Sequence, residues 1–137
     1  MYAVGMYRVF ITTALACLFG CSHLSKSDDE TIRRALTAAD AERSITVAPN
    51  GSFDIELQSN PTTGYEWSLS VEPPEVVATK SKQYTADASG RVGVGGVTRW
   101  SLNARMVGSA TLTFMYSRPW EKGVSPTRIV TFQIDVR

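Results

Sequence analysis

Apolar and polar residues alternate one by one along most of the chain after Ser44, and this period-two pattern constrains the fold more than any other feature. The clearest alternating segments are residues 53–57, 65–71, 100–106, 110–116 and 130–136. Successive side chains of a β-strand point to opposite faces, so each segment predicts a strand with one buried face. Shorter segments at 45–47 and 76–84 bring the predicted number of strands to about seven.

Turn-forming residues separate these strands. Pro49-Asn50-Gly51 precedes the first long strand, Gly108 is expected to turn the chain, and Pro73-Pro74 ends another strand because proline cannot donate to the hydrogen-bond ladder. Short strands with one apolar face and no long helix predict an all-β fold: an immunoglobulin-like sandwich of two sheets over residues 44–137. Trp67 falls on the third strand, where such sandwiches often bury a tryptophan. A closed barrel is the competing architecture.

The first 20 residues are interpreted as a lipoprotein signal peptide. Arg8 precedes an apolar stretch, residues 9–19, that is too short for a comfortable membrane span. Gly20-Cys21 ends this stretch as in a bacterial lipobox, so we expect lipidation at Cys21 and export to the cell envelope. Ser22 after the lipidation site favours the outer membrane. Cleavage elsewhere by an ordinary signal peptidase is the alternative.

Residues 21–43 are predicted to be the lipidated N-terminus and a flexible tether between membrane and domain. Ile32, Ala35, Leu36 and Ala39 have helical spacing, so a short marginal helix is the alternative.

Composition excludes several classes of function. Both cysteines lie at or before the cleavage site, and without Arg8 the chain has 13 basic and 13 acidic side chains with no basic cluster, which argues against nucleic acid as a partner. The one histidine, His23, lies beside the proposed lipid anchor. A Ser-His or Cys-His triad would therefore lack its base, and a zinc site would lack His and Cys ligands. We expect a monomeric binding protein without catalytic residues, metal or cofactor.

Three short motifs lie between predicted strands. Residues 60–64, Asn-Pro-Thr-Thr-Gly, should form a stiff projecting turn, because Pro61 fixes its own φ, Gly64 can adopt φ > 0 and the Asn60 side chain can bond nearby backbone amides. The glycines of residues 93–96 permit close backbone approach to a partner. A phosphate-binding loop is excluded there, because such a loop is followed by Lys-Ser and a helix, whereas here no Lys-Ser follows and a strand comes next. A plain connecting turn or a flexible hairpin would look similar for either motif alone.

The third motif, Arg118-Pro119-Trp120, places a tryptophan among charged and turn-forming residues, off the alternating pattern. Trp and Arg often dominate the energy of protein interfaces, whereas a tryptophan that covers the open end of the sandwich is the structural alternative. In an immunoglobulin-like topology the connections that carry all three motifs gather at one end of the molecule. The sequence therefore predicts one composite binding surface.

These motifs and their order resemble the chagasin family of inhibitors of papain-like cysteine peptidases, over roughly residues 44–137. The family's Asn-Pro-Thr-Thr-Gly-Tyr pattern with a following Trp, its Gly-X-Gly-Gly pattern and its Arg-Pro-Trp pattern are all matched in full. The resemblance implies that these residues bind the peptidase: Asn60, Pro61, Thr62, Thr63, Gly64, Tyr65, Gly93, Val94, Gly95, Gly96, Arg118, Pro119 and Trp120.

The resemblance also implies a mechanism, which is reversible, competitive and non-covalent occlusion of the active-site cleft. Thr62 and Thr63 would lie over the catalytic cysteine, and the glycine loop would pair its backbone with the unprimed side of the cleft. Trp120 would stack on the primed side, with Pro119 holding the bend and Arg118 making polar contacts. The alternative is an immunoglobulin-like surface lipoprotein that acts as an adhesin or carbohydrate-binding or protein-binding module, with Trp120, Trp67 and Tyr65 stacking on sugars.

Overall fold

The computed structural model describes residues 34–89, 91 and 93–137, and these form two β-sheets. The signal peptide predicted over 1–20, Cys21 and the residues up to 33 lie outside the described part. The strands are β1 Ser44–Val47, β2 Ser52–Ser59, β3 Glu66–Glu72, β4 Val77–Ala86, β5 Gly96–Ala104, β6 Gly108–Ser117 and β7 Arg128–Val136. In the described ranges, no helix has the length and apolar character needed to cross a bilayer.

The two sheets pack as a sandwich, as the alternating pattern predicts. One sheet has four strands in the order β1-β7-β6-β3, and the other has three in the order β2-β5-β4. β1 pairs with β7 in parallel, and the other pairs are antiparallel. The immunoglobulin-like two-sheet architecture is therefore confirmed, and the closed barrel is not formed.

The core contains the apolar residues that the alternation assigned to the inward faces. The rings of Trp100 on β5 and Phe114 on β6 meet edge to face across the two sheets, with centroids 4.9 Å apart. Phe114 also meets Phe132 of β7 at 5.8 Å. Burial of each large apolar side chain stabilises the fold by about 1.5–3 kcal/mol. Trp67 is buried in the same core, as predicted.

The turn between β5 and β6 differs from the prediction. The strand predicted to reach Met106 ends at Ala104, Met106 is 54% exposed, and Gly108 begins β6 instead of forming the turn. Ala104 is the last residue of β5 with a partner, since it pairs with the first residue of β4, Val77. The apolar identity of Met106 continues the alternation, but no neighbouring strand extends that far.

The last ten residues of the predicted tether are packed against the sandwich, so this part of the prediction was wrong. We call residues 34–43 the N-terminal strap. Leu36 is 1% exposed and lies beside the edge strand β2, where its N–H donates to the Asp54 carbonyl (2.8 Å) and its carbonyl accepts from the Glu56 N–H (2.7 Å). The strap contains one short 3-10 turn, Ala38–Asp40, and no α-helix. The apolar spacing that suggested a helix therefore reflects one buried residue, Leu36, followed by this turn.

Asp40 holds the strap together through a buried carboxylate. It accepts hydrogen bonds from the guanidinium of Arg34 (2.6 and 2.8 Å) and from the Thr37 N–H (2.9 Å), and it also pairs with Arg43. These interactions, led by the hydrogen bonds from Arg34, lower the pKa of Asp40 well below its usual range. The folded domain therefore includes residues 34–43, which lie before the boundary predicted at Ser44.

Candidate functional site

The three motifs form one surface at one end of the sandwich, where β2 and β6 end and where β3 and β5 begin. The Asn60 side-chain Nδ2 donates to the Gly93 carbonyl at 3.0 Å, which joins the first loop to the second. The Arg118 Nε donates to the Thr63 carbonyl at 3.2 Å, which joins the third loop to the first. We call this surface the wedge: loop 1 (residues 60–65), loop 2 (residues 93–96) and loop 3 (residues 118–120).

Loop 1 is a tight turn that projects from the sandwich. Pro61–Thr63 form one turn of 3-10 helix, which ends at Gly64 with φ +78°. The Gly64 N–H donates to the Pro61 carbonyl at 2.9 Å, and the Thr63 N–H donates to the Asn60 carbonyl at 3.2 Å. Pro61, Thr62 and Thr63 are exposed. The proline and the glycine therefore produce the stiff turn that the sequence predicts, and the two threonines form its tip.

Asn60 links loop 1 to its surroundings, although not through the partners expected from the sequence. Its side chain was expected to accept from nearby backbone amides. Instead, its Oδ1 accepts from the Thr62 hydroxyl at 2.6 Å and its Nδ2 donates to Gly93. Its own N–H donates to the buried Tyr116 hydroxyl at 2.8 Å. The tertiary contact with loop 2 supplies an acceptor that local sequence could not show.

In loop 2 the glycines of residues 93–96 have different roles. Gly93 and Val94 are exposed, whereas Gly96 is buried as the first residue of β5. A Cβ on Gly96 would lie 2.1 Å from the Thr85 carbonyl oxygen, so Gly96 is required by the sheet. Gly95 has φ +76°, and a Cβ there would lie 2.8 Å from the Ser59 carbonyl oxygen. Gly93 and Val94 are therefore the loop 2 residues that are most exposed to a partner.

Loop 3 is fixed by Arg118, which the resemblance assigned to polar contacts with the partner. In the structure the guanidinium is used within the wedge: it bonds Thr63, pairs with Glu121 at 2.9 Å and lies 4.5 Å from the centre of the Tyr65 ring. The hydrogen bond to Glu121 raises the pKa of Arg118, which keeps the guanidinium charged. Glu121, which directly follows loop 3, is thus the acidic partner of this arginine.

Trp120 is the most prominent apolar side chain of the wedge, with 65% of its surface exposed. Its ring lies against the backbone of Gly64: a Cβ built on that glycine would be 2.3 Å from Trp120 Cη2 and 2.8 Å from Cζ2. Gly64 therefore serves two purposes, a positive φ and an open seat for the indole. Trp120 does not cover the end of the sandwich, which was the structural alternative.

The other two aromatic residues proposed for sugar stacking are buried or covered. Trp67 is 2% exposed, and its indole N–H donates to the Gln58 carbonyl at 2.9 Å. Tyr65 is partly buried, stacked on Tyr116 with ring centroids 5.3 Å apart and covered by Arg118. Of the three aromatic residues proposed for a sugar platform, only Trp120 is thus well exposed.

An open groove of about 470 Å³ borders loop 2 on the outer face of the three-stranded sheet. Its charged lining residues include Glu56 and Arg99, which are paired with each other. The groove contains none of the exposed motif residues except Val94. Within the described residues there is no cluster of His, Cys, Asp and Glu that could bind a metal ion. The convex loops, and not this groove, therefore form the candidate site.

Fold and site together define an immunoglobulin-like binding module that presents three braced loops. The chain belongs to the chagasin family of peptidase inhibitors, since the model of the chagasin family peptidase inhibitor I42 matches residues 46–136. Amoebiasin-2 of Entamoeba histolytica is 32% identical over 104 residues, which cover 74% of this chain and 84% of that protein. Chagasin of Trypanosoma cruzi is 30% identical over 89 residues, covering 62% of this chain and 81% of chagasin.

Solved structures agree with this assignment. The crystal structure of a cysteine protease inhibitor from Entamoeba histolytica superposes with a TM-score of 0.69 at 31% identity, covering 76% of this chain and 95% of that one. The family match begins after the N-terminal strap, so the strap lies outside the region that the family model matches.

Proposed function

We propose that the protein is a reversible, competitive inhibitor of papain-like cysteine peptidases, which fills the active-site cleft with the wedge. Membership of an inhibitor family supports this proposal. The structural observation that carries it is the direct bonding between loops, from Asn60 to Gly93 and from Arg118 to Thr63. Separate turns would need to be ordered on binding, whereas these three already form one surface.

Each loop has a distinct task in this proposal. The exposed tip, Thr62 and Thr63, occupies the cleft over the catalytic cysteine. Gly93 and Val94 lie along the unprimed side, where a chain without bulky side chains can approach the cleft backbone closely. Trp120 packs on the primed side, where a large exposed aromatic contributes most of the contact energy.

The geometry of the tip explains why the inhibitor is not cut. An extended peptide adds to a partner through the free backbone groups of a strand. The N–H groups of Thr63 and Gly64 are bonded to carbonyls within loop 1, so the tip cannot adopt that extended form without breaking its own turn. Inhibition is therefore non-covalent and leaves the chain intact.

Preorganisation determines the affinity. An interface of standard size buries about 800 Å² per partner, but its affinity depends on how much ordering the loops require. Each immobilised side chain costs about 0.5–1.5 kcal/mol on binding. Arg118 and Asn60 are already held by hydrogen bonds in the free protein, so the cost of ordering these two side chains is removed before the encounter.

The proposal is tested by titrating papain with the chain from residue 22 to residue 137 in a fluorogenic peptide assay. We expect saturable stoichiometric inhibition that weakens as substrate concentration rises and that is reversed by dilution. Mass spectrometry after prolonged incubation should show an uncut inhibitor. Absence of inhibition up to high micromolar concentration would favour the adhesin or carbohydrate-binding alternative.

We also propose export and lipid anchoring at Cys21, on the support of the apolar segment and of Gly20-Cys21 in the sequence. The measurement is palmitate labelling in a bacterial host, followed by membrane fractionation. Labelling and membrane retention should both be lost in Cys21→Ser. Equal labelling of this variant would contradict the proposal without affecting the inhibitory function.

A further inference from the structure

Tyr116, near the end of β6, lies directly beneath the wedge and outside all three motifs. Its side chain is 8% exposed, and its ring packs on Trp67 at 4.8 Å and on Tyr65 at 5.3 Å between centroids. The alternation of β6 accounts for the buried ring, since residues 110–116 read as one inward-facing row. It does not account for the hydroxyl, which a phenylalanine at this position would lack.

The polar atoms of Tyr116 hold the bases of two loops. Its hydroxyl accepts a hydrogen bond from the Asn60 N–H at 2.8 Å, where loop 1 leaves β2. Its carbonyl accepts from the Thr127 N–H at 2.9 Å and from the Thr127 hydroxyl at 3.1 Å, where the chain returns after loop 3. One residue thus connects the aromatic core to the start of loop 1 and to the end of the loop 3 connection.

Asn60 passes this constraint to the rest of the wedge. Its Nδ2 holds loop 2 through Gly93, and its carbonyl accepts from the N–H (3.2 Å) and the hydroxyl (2.7 Å) of Thr63. A shift of the Asn60 backbone would therefore move both the threonine tip and loop 2. The position of Asn60 depends on the Tyr116 hydroxyl, because the other bonds of Asn60 lead to exposed loop atoms and not to the core.

We propose that Tyr116 is a positioning residue for inhibition, and that its hydroxyl holds loop 1 at the height from which all three loops fit the cleft. This inference rests on the proposed function. The hydroxyl touches no peptidase atom; it raises the fraction of free inhibitor that is in the binding-competent conformation. A lower competent fraction weakens the apparent affinity in proportion.

The test is Tyr116→Phe, which keeps the ring and removes only the hydroxyl. The inhibition constant for papain should rise about two- to tenfold, the range that loss of one hydrogen bond produces. The change should fall in the association rate constant, since the bound conformation is unaltered. The matched control is Ile134→Val, a change in the core of β7 that lowers global stability to a similar degree and leaves the wedge untouched.

Hydrogen exchange in the free protein provides a second readout that needs no peptidase. The N–H groups of Thr63 and Gly64 are bonded within loop 1, and they should exchange faster in Tyr116→Phe but not in Ile134→Val. Wild-type exchange and a wild-type inhibition constant in Tyr116→Phe would overturn the proposal, as would an equal effect in the control. A wild-type chain that fails to inhibit refutes the proposed function and with it a role in inhibition, while the exchange rates still show whether the hydroxyl positions loop 1.

Discussion

Gly64→Ala separates the two tasks of this glycine, a positive φ and a seat for the Trp120 ring. Alanine at φ +78° costs about 1–2 kcal/mol of backbone strain. The new methyl would also lie 2.3 Å from Trp120 Cη2, so the indole must move away. The far end of the ring can swing into solvent at little cost to folding, but the exposed anchor of loop 3 then leaves its binding position.

A matched control isolates the second effect. Gly123 has φ +79°, and a Cβ there meets nothing within 4 Å, so Gly123→Ala carries a similar backbone strain without a clash. Both variants should lose a similar free energy of unfolding in urea titrations. Loss of an interface tryptophan costs about 2 kcal/mol, or roughly thirtyfold in the inhibition constant. We therefore expect Gly64→Ala to inhibit papain at least tenfold more weakly than Gly123→Ala.

A double-mutant cycle tests whether Gly64→Ala acts through the Trp120 ring. In a Trp120→Ala background no ring remains to displace, so Gly64→Ala should weaken inhibition only by the part due to strain. If Gly64→Ala has its full effect without Trp120, or if it inhibits as well as Gly123→Ala, the glycine does not act as the seat of the indole.

Three other changes give separate expectations. Trp120→Ala should raise the inhibition constant for papain about thirtyfold, whereas Val107→Ala, an exposed apolar change at the opposite end, should leave it unchanged; equal constants would mean that Trp120 makes no contact. Leu36→Ala should lower the free energy of unfolding by about 2–5 kcal/mol in urea, and a wild-type midpoint would show that the strap is not part of the core. Because the pKa of Asp40 is lowered in the folded state, its carboxylate stabilises the fold fully at pH values above the unfolded pKa of about 3.9. This stabilisation is lost progressively as the pH falls from there toward the folded pKa. Asp40→Asn should therefore be less stable than wild type by about 2 kcal/mol at pH 7, and the gap should narrow toward pH 3 in thermal melts; a gap independent of pH would contradict this account.

The strand pattern and the loop motifs were readable from the sequence because both depend on local chemistry. Alternation follows from the geometry of a strand, so the inward faces of β2, β5, β6 and β7 were predicted correctly. Pro61 and Gly64 specify their turn through φ alone. The exception was Met106. The alternation extended β5 to this residue, but β5 ends at Ala104, where its pairing with β4 stops.

Partners across loops could not be read in the same way. Nothing near Asn60 in sequence indicates that its side chain bonds Gly93, or that its N–H meets the Tyr116 hydroxyl. The family resemblance assigned Arg118 to polar contacts with the partner, and in the free protein its guanidinium bonds Thr63 and Glu121. The apolar spacing around Leu36 suggested a weak helix. A single buried residue gives no periodic pattern, so the sequence could not show that Leu36 packs beside β2.

The amino-acid sequence by itself determined the strands, the strand connections that carry the motifs, and the rigid backbone of the tip. These features depend on residues adjacent in the chain, whose conformational limits hold in any fold. Tertiary structure decided how the loops are braced, which glycines remain exposed, and that residues 34–43 pack against the sandwich. Those properties arise from hydrogen bonds and burial between residues far apart in the chain, and such contacts exist only after the two sheets have packed.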